Sequence, residues 1–200
     1  MMGISNAQKS AYNILTSVLG QAITIILGVV IPRLVLVNLG SENNGLLSSI
    51  TQVLGYASLL EAGVGLASLQ ALYKPVAEHD EASVNAIMSA TNLYYRRTGI
   101  AYLLTVIILS AIYPVIIKSS LPYGTITIVV LISGLPGVVN YYFQGKYKIL
   151  LQAEGRTYII TNLATVIGIL TSIGKILLLL LGFGVIAVQS LYLALSLVQM

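Results

Sequence analysis

The chain has 200 residues, of which 57% are hydrophobic and 8% are charged, and its formal net charge is +4. Soluble domains carry roughly a quarter charged residues, so this composition excludes an ordinary soluble domain and is typical of a membrane protein. The absence of cysteine excludes disulfides and thiolate metal sites, and a single histidine disfavours zinc or haem ligation, so we expect no metal or cofactor.

Six apolar segments follow one another along the chain. Each is uncharged or nearly so, and most reach the roughly 18 to 20 residues that a membrane-spanning helix needs. Gly182-Phe183-Gly184 is typical of a tight turn between the last two segments. The expected fold class is all-α, a polytopic transmembrane helical bundle. The predicted spans are 11–37, 45–73, 98–117, 122–144, 157–181 and 185–200.

The two ends of the chain carry different predictions. The N-terminal apolar run is too long for a signal peptide and lacks a small-residue cleavage site, so we expect it to remain as the first span. The last segment, from Val185 to Met200, would be about 24 Å long as a helix, which is shorter than the roughly 30 Å hydrocarbon core. We therefore expect the chain to be the front part of a longer membrane protein.

The distribution of basic residues predicts the orientation. With a cytoplasmic N-terminus, seven Lys and Arg residues lie inside and three outside, which satisfies the positive-inside rule and makes a nucleic-acid partner unnecessary to explain the charge. The inner set is Lys9, Lys74, Arg96, Arg97, Lys146, Lys148 and Arg156, and the outer set is Arg33, Lys118 and Lys175.

Residues 83–97 form an unusual segment before the third span. Apolar residues at helical spacing predict an amphipathic cytoplasmic extension of that span, lying at or below the inner surface and capped by Asp80 or Ser83. The preceding "EHDE", Glu78 to Glu81, combines acid and base side chains, but its place before a helix favours capping and solvation over catalysis or metal binding.

Glu61 lies inside the second span, in the run "LLEAGVGL". A carboxylate deep in the bilayer costs roughly 2.5 to 3.5 kcal/mol on insertion scales, so it must face protein or water. On a continuous helix it shares a stripe with Thr51, Ser58, Gly65 and Ser68. It either joins the first two helices by hydrogen bonds or lines a wet cavity, as a proton or cation site or a substrate contact.

The first span has a comparable polar stripe of Asn13, Ser17, Gln21, Thr24 and Gly28. Helix rise places Gln21 to Thr24 at about the depth of Glu61. We therefore expect Gln21 and Thr24 to be its hydrogen-bond partners.

Four cations at three places in the chain complete the candidate pathway. Lys175 continues an inward stripe of its span, with snorkelling to the outer surface as the alternative. Arg33 follows Pro32 near an outer helix end, where snorkelling or a headgroup contact is favoured. Arg96 and Arg97 lie at the inner mouth, where they either anchor topology and contact anionic lipid or meet a charged cargo.

The fourth span contains "ISGLPGVVNYY", in which Pro136 removes a helix hydrogen bond and predicts a kink, either for packing or beside a transport site. The tyrosines that follow it favour an interfacial aromatic belt over a ring for stacking sugars.

Several stretches together resemble the bacterial polysaccharide repeat-unit flippases, the O-antigen and capsule transporters of the multidrug, oligosaccharidyl-lipid and polysaccharide exporter superfamily. They are "LGSENNGLLSSI", "LLEAGVGLASLQALYKPVAEHD", "YYRRTG" and "NYYFQGKYKILLQAEGRTY". The resemblance covers nearly all of the chain and is strongest over 39–80.

The resemblance implies a bundle of two lobes around a cavity that alternates between the membrane faces, of which this chain would be the N-terminal lobe. It further implies a bacterial plasma-membrane protein, not an enzyme, whose cargo is an undecaprenyl-diphosphate-linked oligosaccharide. The alternatives are a drug or cation antiporter of the same superfamily, with Glu61 exchanging ions, and a membrane-embedded glycosyltransferase or ligase that uses the 78–81 loop. A non-transporting membrane scaffold is the third.

Overall fold

The computed structural model describes residues 6–61, 64–117 and 119–198, and every regular element within them is helical. This confirms the predicted all-α fold class. The α-helices are α1 (Asn6–Ala57), α2 (Val64–Ala77), α3 (Glu81–Ile116), α4 (Tyr123–Val139), α5 (Gly145–Ala153), α6 (Thr157–Leu180) and α7 (Val185–Val198). A 3-10 turn, Ser58–Glu61, follows α1, and a π-helical turn, Asn140–Gln144, joins α4 to α5.

Four helical stretches among the described residues are long and apolar enough to cross a membrane, and they make the chain a membrane protein. They are Val18–Ala57, Glu81–Ile116, Tyr123–Ala153 and Thr157–Leu180.

The first of these stretches bends at Gly40, whose φ of 86° and ψ of 171° interrupt α1. Only glycine adopts this backbone conformation at low cost. Before the bend, Gly20 lies against Thr165 and Val35 packs with Leu179, so the chain there runs parallel to α6.

After the bend, the chain runs in the opposite direction. Leu46 packs near Tyr113 and Glu61 contacts Tyr95, so this part is antiparallel to α3. Because α3 and α6 are both antiparallel to the α4–α5 segment, they are parallel to each other, and α1 therefore folds back on itself at Gly40. With this reversal the described chain forms six successive segments of alternating direction.

Glycines bring α3 and the α4–α5 segment into close contact. A Cβ atom at Gly134 would lie 2.5 Å from Val106, one at Gly137 would lie 2.5 Å from the Tyr102 ring, and one at Gly99 would lie 2.9 Å from Tyr142. Lipid offers no hydrophobic drive for helix association, so small residues that allow close approach stabilise such contacts. This interface contains much of the buried core, including Val106, Val129 and Val130.

The extension predicted at 83–97 belongs to α3, and its N-cap is Asp80, which accepts a hydrogen bond from the Ser83 backbone N–H, as predicted. Its apolar side chains, among them Val84, Ile87 and Met88, pack on the cluster around Leu72 and Tyr95. They therefore lie against the bundle, and the extension at or below the inner membrane surface stays a prediction.

Three further expectations, on the second span, the fourth span and the turn at Gly182, have different outcomes. The second predicted span, 45–73, is not one continuous helix, since the 3-10 turn interrupts the stripe that was drawn through Glu61. Helix α4 passes through Pro136 and widens into the π-helical turn four residues later. The turn at Gly182 is confirmed, with φ of 79°. Residues 62, 63, 118, 199 and 200 lie outside the described residues, as do the side chains of Lys9, Asn13 and Ser17.

Candidate functional site

A groove of about 730 Å³ runs between the first half of α1 and α6. It is lined by small, hydroxylic and amide side chains set among aliphatic ones. The polar and small members are Gly20, Gln21, Thr24, Gly28, Thr161, Thr165, Gly168 and Ser172.

The groove brings together two stripes that the sequence predicts separately. Gln21, Thr24 and Gly28 come from the first span, and the facing stripe from α6 leads towards Lys175. The first-span stripe was expected to face Glu61, and that pairing is wrong, because α6 takes this place. Thr24 donates its hydroxyl hydrogen bond to the Gly20 carbonyl instead.

Glu61 belongs to a second polar group, here called the Glu61 cluster: Ser58, Glu61, Tyr95, Asn140, Tyr141 and Lys148. Its central contact is a 2.5 Å hydrogen bond from the Tyr95 hydroxyl to Glu61 Oε1. The Tyr141 hydroxyl faces both Ser58 and Glu61. The carboxylate is therefore held inside the bundle by Tyr95, with Tyr141 nearby, and not by Gln21 or Thr24.

Two glycines position the Tyr95 ring. A Cβ at Gly145 would lie 2.2 Å from the Tyr95 ring, so the ring packs directly on backbone there. A Cβ at Gly65 would lie 3.0 Å from the Tyr95 hydroxyl oxygen and 3.5 Å from Glu61 Oε1. Tyr95 is only 2% exposed, so it cannot move aside, and the two glycines fix its hydrogen bond to Glu61.

Lys148 extends the Glu61 cluster. Its Nζ donates to the Asn140 side-chain oxygen. The π-helical turn sets this geometry, because it directs Tyr141 and Gln144 into the bundle one turn before Lys148. Such turns occur often at functional sites.

Arg96 and Arg97 lie close to this cluster but face outwards. The Arg96 guanidinium donates to the Tyr142 hydroxyl at 3.1 Å and lies over that ring at 5.2 Å. Arg97 is exposed on the same helix. Their position agrees equally with lipid contact and with a cargo entrance.

The two outer cations lie beyond the groove. Arg33 is exposed and follows Pro32, which lines the groove's outer end. Lys175 is partly buried, and its Nζ lies 4.9 Å from the centre of the Tyr192 ring on α7. The structure therefore turns the Lys175 ammonium towards a neighbouring helix.

The loop 78–81 has the features of a capped, solvated turn. Glu78 pairs with Lys74 at 3.9 Å on the surface, and His79 has a positive φ of 56°. Hydrogen bonds from Ser83 lower the pKa of the Asp80 carboxyl, as expected for an N-cap. No group of three or more His, Cys, Asp or Glu side chains suited to a metal occurs among the described residues.

Sequence reasoning missed Tyr95, Tyr141 and Lys148 as partners of Glu61. Tyr95 was assigned to the apolar face of the helical extension, Tyr141 to an aromatic belt, and Lys148 to an inner loop that is in fact helical. The π-helical turn, which has no reliable sequence signal, is what brings them inwards.

In comparisons with known proteins, no family model, curated protein or solved structure matches the chain.

Proposed function

We propose that this chain is the N-terminal lobe of a transporter that moves a lipid-linked oligosaccharide across the bacterial plasma membrane, with its N-terminus in the cytoplasm. The groove between α1 and α6 is the observation that carries the proposal. Polar side chains facing acyl chains are costly, so an exposed stripe such as Gln21 and Thr24 favours a hydrated or cargo-filled path.

The groove's lining supports an amphiphilic cargo. The Gln21 amide and several hydroxyls lie beside Ile23, Leu27 and Ile169 over a length of several helical turns. A polar headgroup and a prenyl chain would find matching surfaces along it. The resemblance to the polysaccharide repeat-unit flippases supports the same class of cargo, and the diphosphate would be met by cations such as Arg96 or Lys175.

Filling the groove tests the proposal without disturbing the packing. A Cβ at Gly168 meets no atom within 4 Å, so Gly168→Leu places a bulky side chain into open space. Gly124→Leu is the matched control, since its Cβ is equally free and lies outside the groove.

The full-length product of the gene would be reconstituted in vesicles with a radiolabelled undecaprenyl-diphosphate oligosaccharide. The measurement is the rate at which the labelled sugar becomes accessible to external periodate. We expect Gly168→Leu to slow this rate at least tenfold and Gly124→Leu to leave it unchanged. Equal rates for wild type and Gly168→Leu would refute a path through the groove.

The Glu61 cluster favours a second candidate, a drug or cation antiporter. A carboxylate beside Lys148 inside a broken span is the arrangement that ion exchange would use. Drug efflux by the reconstituted protein, without any movement of lipid-linked sugar, would replace the flippase by this function.

A further inference from the structure

A separate cavity of about 270 Å³ lies between the π-helical turn, α6 and α7. Its wall contains two amides and three hydroxyls, from Asn140, Gln144, Thr171, Tyr192 and Ser196. None of the residues that line it is ionisable apart from the Tyr192 phenol. It shares no residue with the groove between α1 and α6.

Three of the five polar side chains of this cavity lack hydrogen-bond partners within the described chain, whereas Asn140 accepts from Lys148 and Ser196 donates to the Leu193 carbonyl. Gln144 is 9% exposed and Thr171 is 7% exposed, yet neither side chain makes a hydrogen bond to another described residue, and the same holds for the Tyr192 hydroxyl. Other intrahelical threonines, such as Thr91 and Thr105, donate to the carbonyl four residues before them. Among the described residues only Gln189 Oε1 is a fully buried side-chain atom without a partner, so the polar atoms of Gln144, Thr171 and Tyr192 are open to the cavity, where a polar occupant would satisfy them.

The size and chemistry of the cavity define the occupant. At 270 Å³ it exceeds the space of one or two bound waters and lies just below the range of drug-sized pockets. Amides and hydroxyls both donate and accept, as sugar hydroxyls require. Tyr192 adds an aromatic surface, held in place by Lys175 over its ring.

We propose that this cavity binds a single neutral sugar unit through Asn140, Gln144, Thr171 and Tyr192. The identification of the sugar as part of the cargo rests on the proposed function. An anion is disfavoured, because the Lys148 ammonium beside the cavity is already hydrogen-bonded to Asn140.

The binding test uses the full-length protein in lipid nanodiscs and saturation-transfer NMR with the methyl glycosides of glucose, galactose and N-acetylglucosamine. We expect transfer to at least one glycoside in the wild type. Tyr192→Leu should weaken binding at least fivefold, and Tyr192→Phe, which keeps the ring, should weaken it less. Tyr123→Leu is the matched control at an exposed tyrosine outside the cavity and should bind as the wild type does.

Thr171→Val keeps the side-chain shape and removes only the hydroxyl, so it tests the site even if Tyr192→Leu fails to fold. Weaker glycoside binding by this variant supports the proposal. The proposal is overturned if the wild type shows no transfer, if Tyr192→Leu and Thr171→Val both bind unchanged, or if pyrophosphate binds there and glycosides do not. If the vesicles transport lipid-linked sugar but the protein binds no glycoside, the sugar site is overturned and the flippase function is not. If the protein binds glycosides but transports no lipid-linked sugar, the flippase function is overturned and the sugar site is not.

Discussion

The contact between α3 and the α4–α5 segment and the contact between α1 and α6 use glycine in opposite ways. At the first, Gly134, Gly137 and Gly145 let side chains of α3 rest on backbone, with hypothetical Cβ contacts of 2.2–2.5 Å. At the second, Gly20 lies against Thr165, with a hypothetical Cβ contact of 2.8 Å, but Gly28 and Gly168 border open space. The same residue type therefore closes one helix pair and leaves a path along the other, and only the facing side chains decide which.

The two helix–helix contacts also differ in how exposed the side chains of their helices are. The described part of α1 has large exposed hydrophobics along its first half, such as Val18, Ile26 and Val29, whereas α3 and α4 contribute the largest share of the buried hydrophobic core. The first half of α1 contacts α6, whereas its second half, with Leu46 and Ile50, packs directly on the buried cluster of α3 and α4.

The largest expected effect comes from Gly145→Ala. The added Cβ would lie 2.2 Å from the buried Tyr95 ring, and overpacking of this kind costs about 1–3 kcal/mol, more than the up to about 1 kcal/mol that alanine gains in helix propensity. We expect a net loss of stability in unfolding by SDS in mixed micelles. Gly168→Ala, in open space, should be neutral or stabilising. Equal changes in stability for the two variants would show that the two helix–helix contacts do not differ in how closely glycine is packed.

The next effect concerns the hydrogen bond between Tyr95 and Glu61. Hydrogen bonds between membrane helices contribute about 0.6 kcal/mol on average and up to about 1.7 kcal/mol. Because this bond is short and ends on a carboxylate, we expect Tyr95→Phe to lose about 1 kcal/mol. A double-mutant cycle with Glu61→Ala measures the coupling, and additive losses would show that the bond contributes nothing.

A smaller effect is expected from Arg96→Ala, which removes the contact between the guanidinium and the Tyr142 ring. An exposed cation–π pair contributes about 0.5–1 kcal/mol. The same unfolding experiment measures it, with Arg97→Ala as the neighbouring control. A loss that is equal for both variants would assign the effect to net charge.

The smallest effect is the pH response of the α3 N-terminus. Hydrogen bonds from Ser83 lower the pKa of Asp80 in the folded state, so its contribution is present above the unfolded pKa near 3.8 and is lost as the pH falls through the folded value. The hydrogen-exchange protection factors of the first amides of α3 should therefore fall in the wild type as the pH is lowered through the folded pKa of Asp80. Asp80→Asn should abolish this pH dependence, and an unchanged profile in that variant would assign it to another group.

Composition and hydropathy by themselves determined that this is an all-α membrane protein, because a lipid solvent leaves the backbone few ways to satisfy its hydrogen bonds. The apolar runs also located most helices, and Asp80 identified a helix start, because these signals are local. The polar stripes of α1 and α6 were likewise visible in the sequence as inward faces.

Only the tertiary structure decided which polar stripe of one helix faces which stripe of another. Helical periodicity gives the face of a polar residue but not the neighbour across from it, so Gln21 was paired with Glu61 although α6 faces it. The break at 58–61 and the widened turn at 140–144 depend on packing that local propensity does not encode, and they gave Glu61 its partners Tyr95 and Tyr141. Partner choice between membrane helices is set by the fit of whole surfaces, which a single chain pattern does not contain.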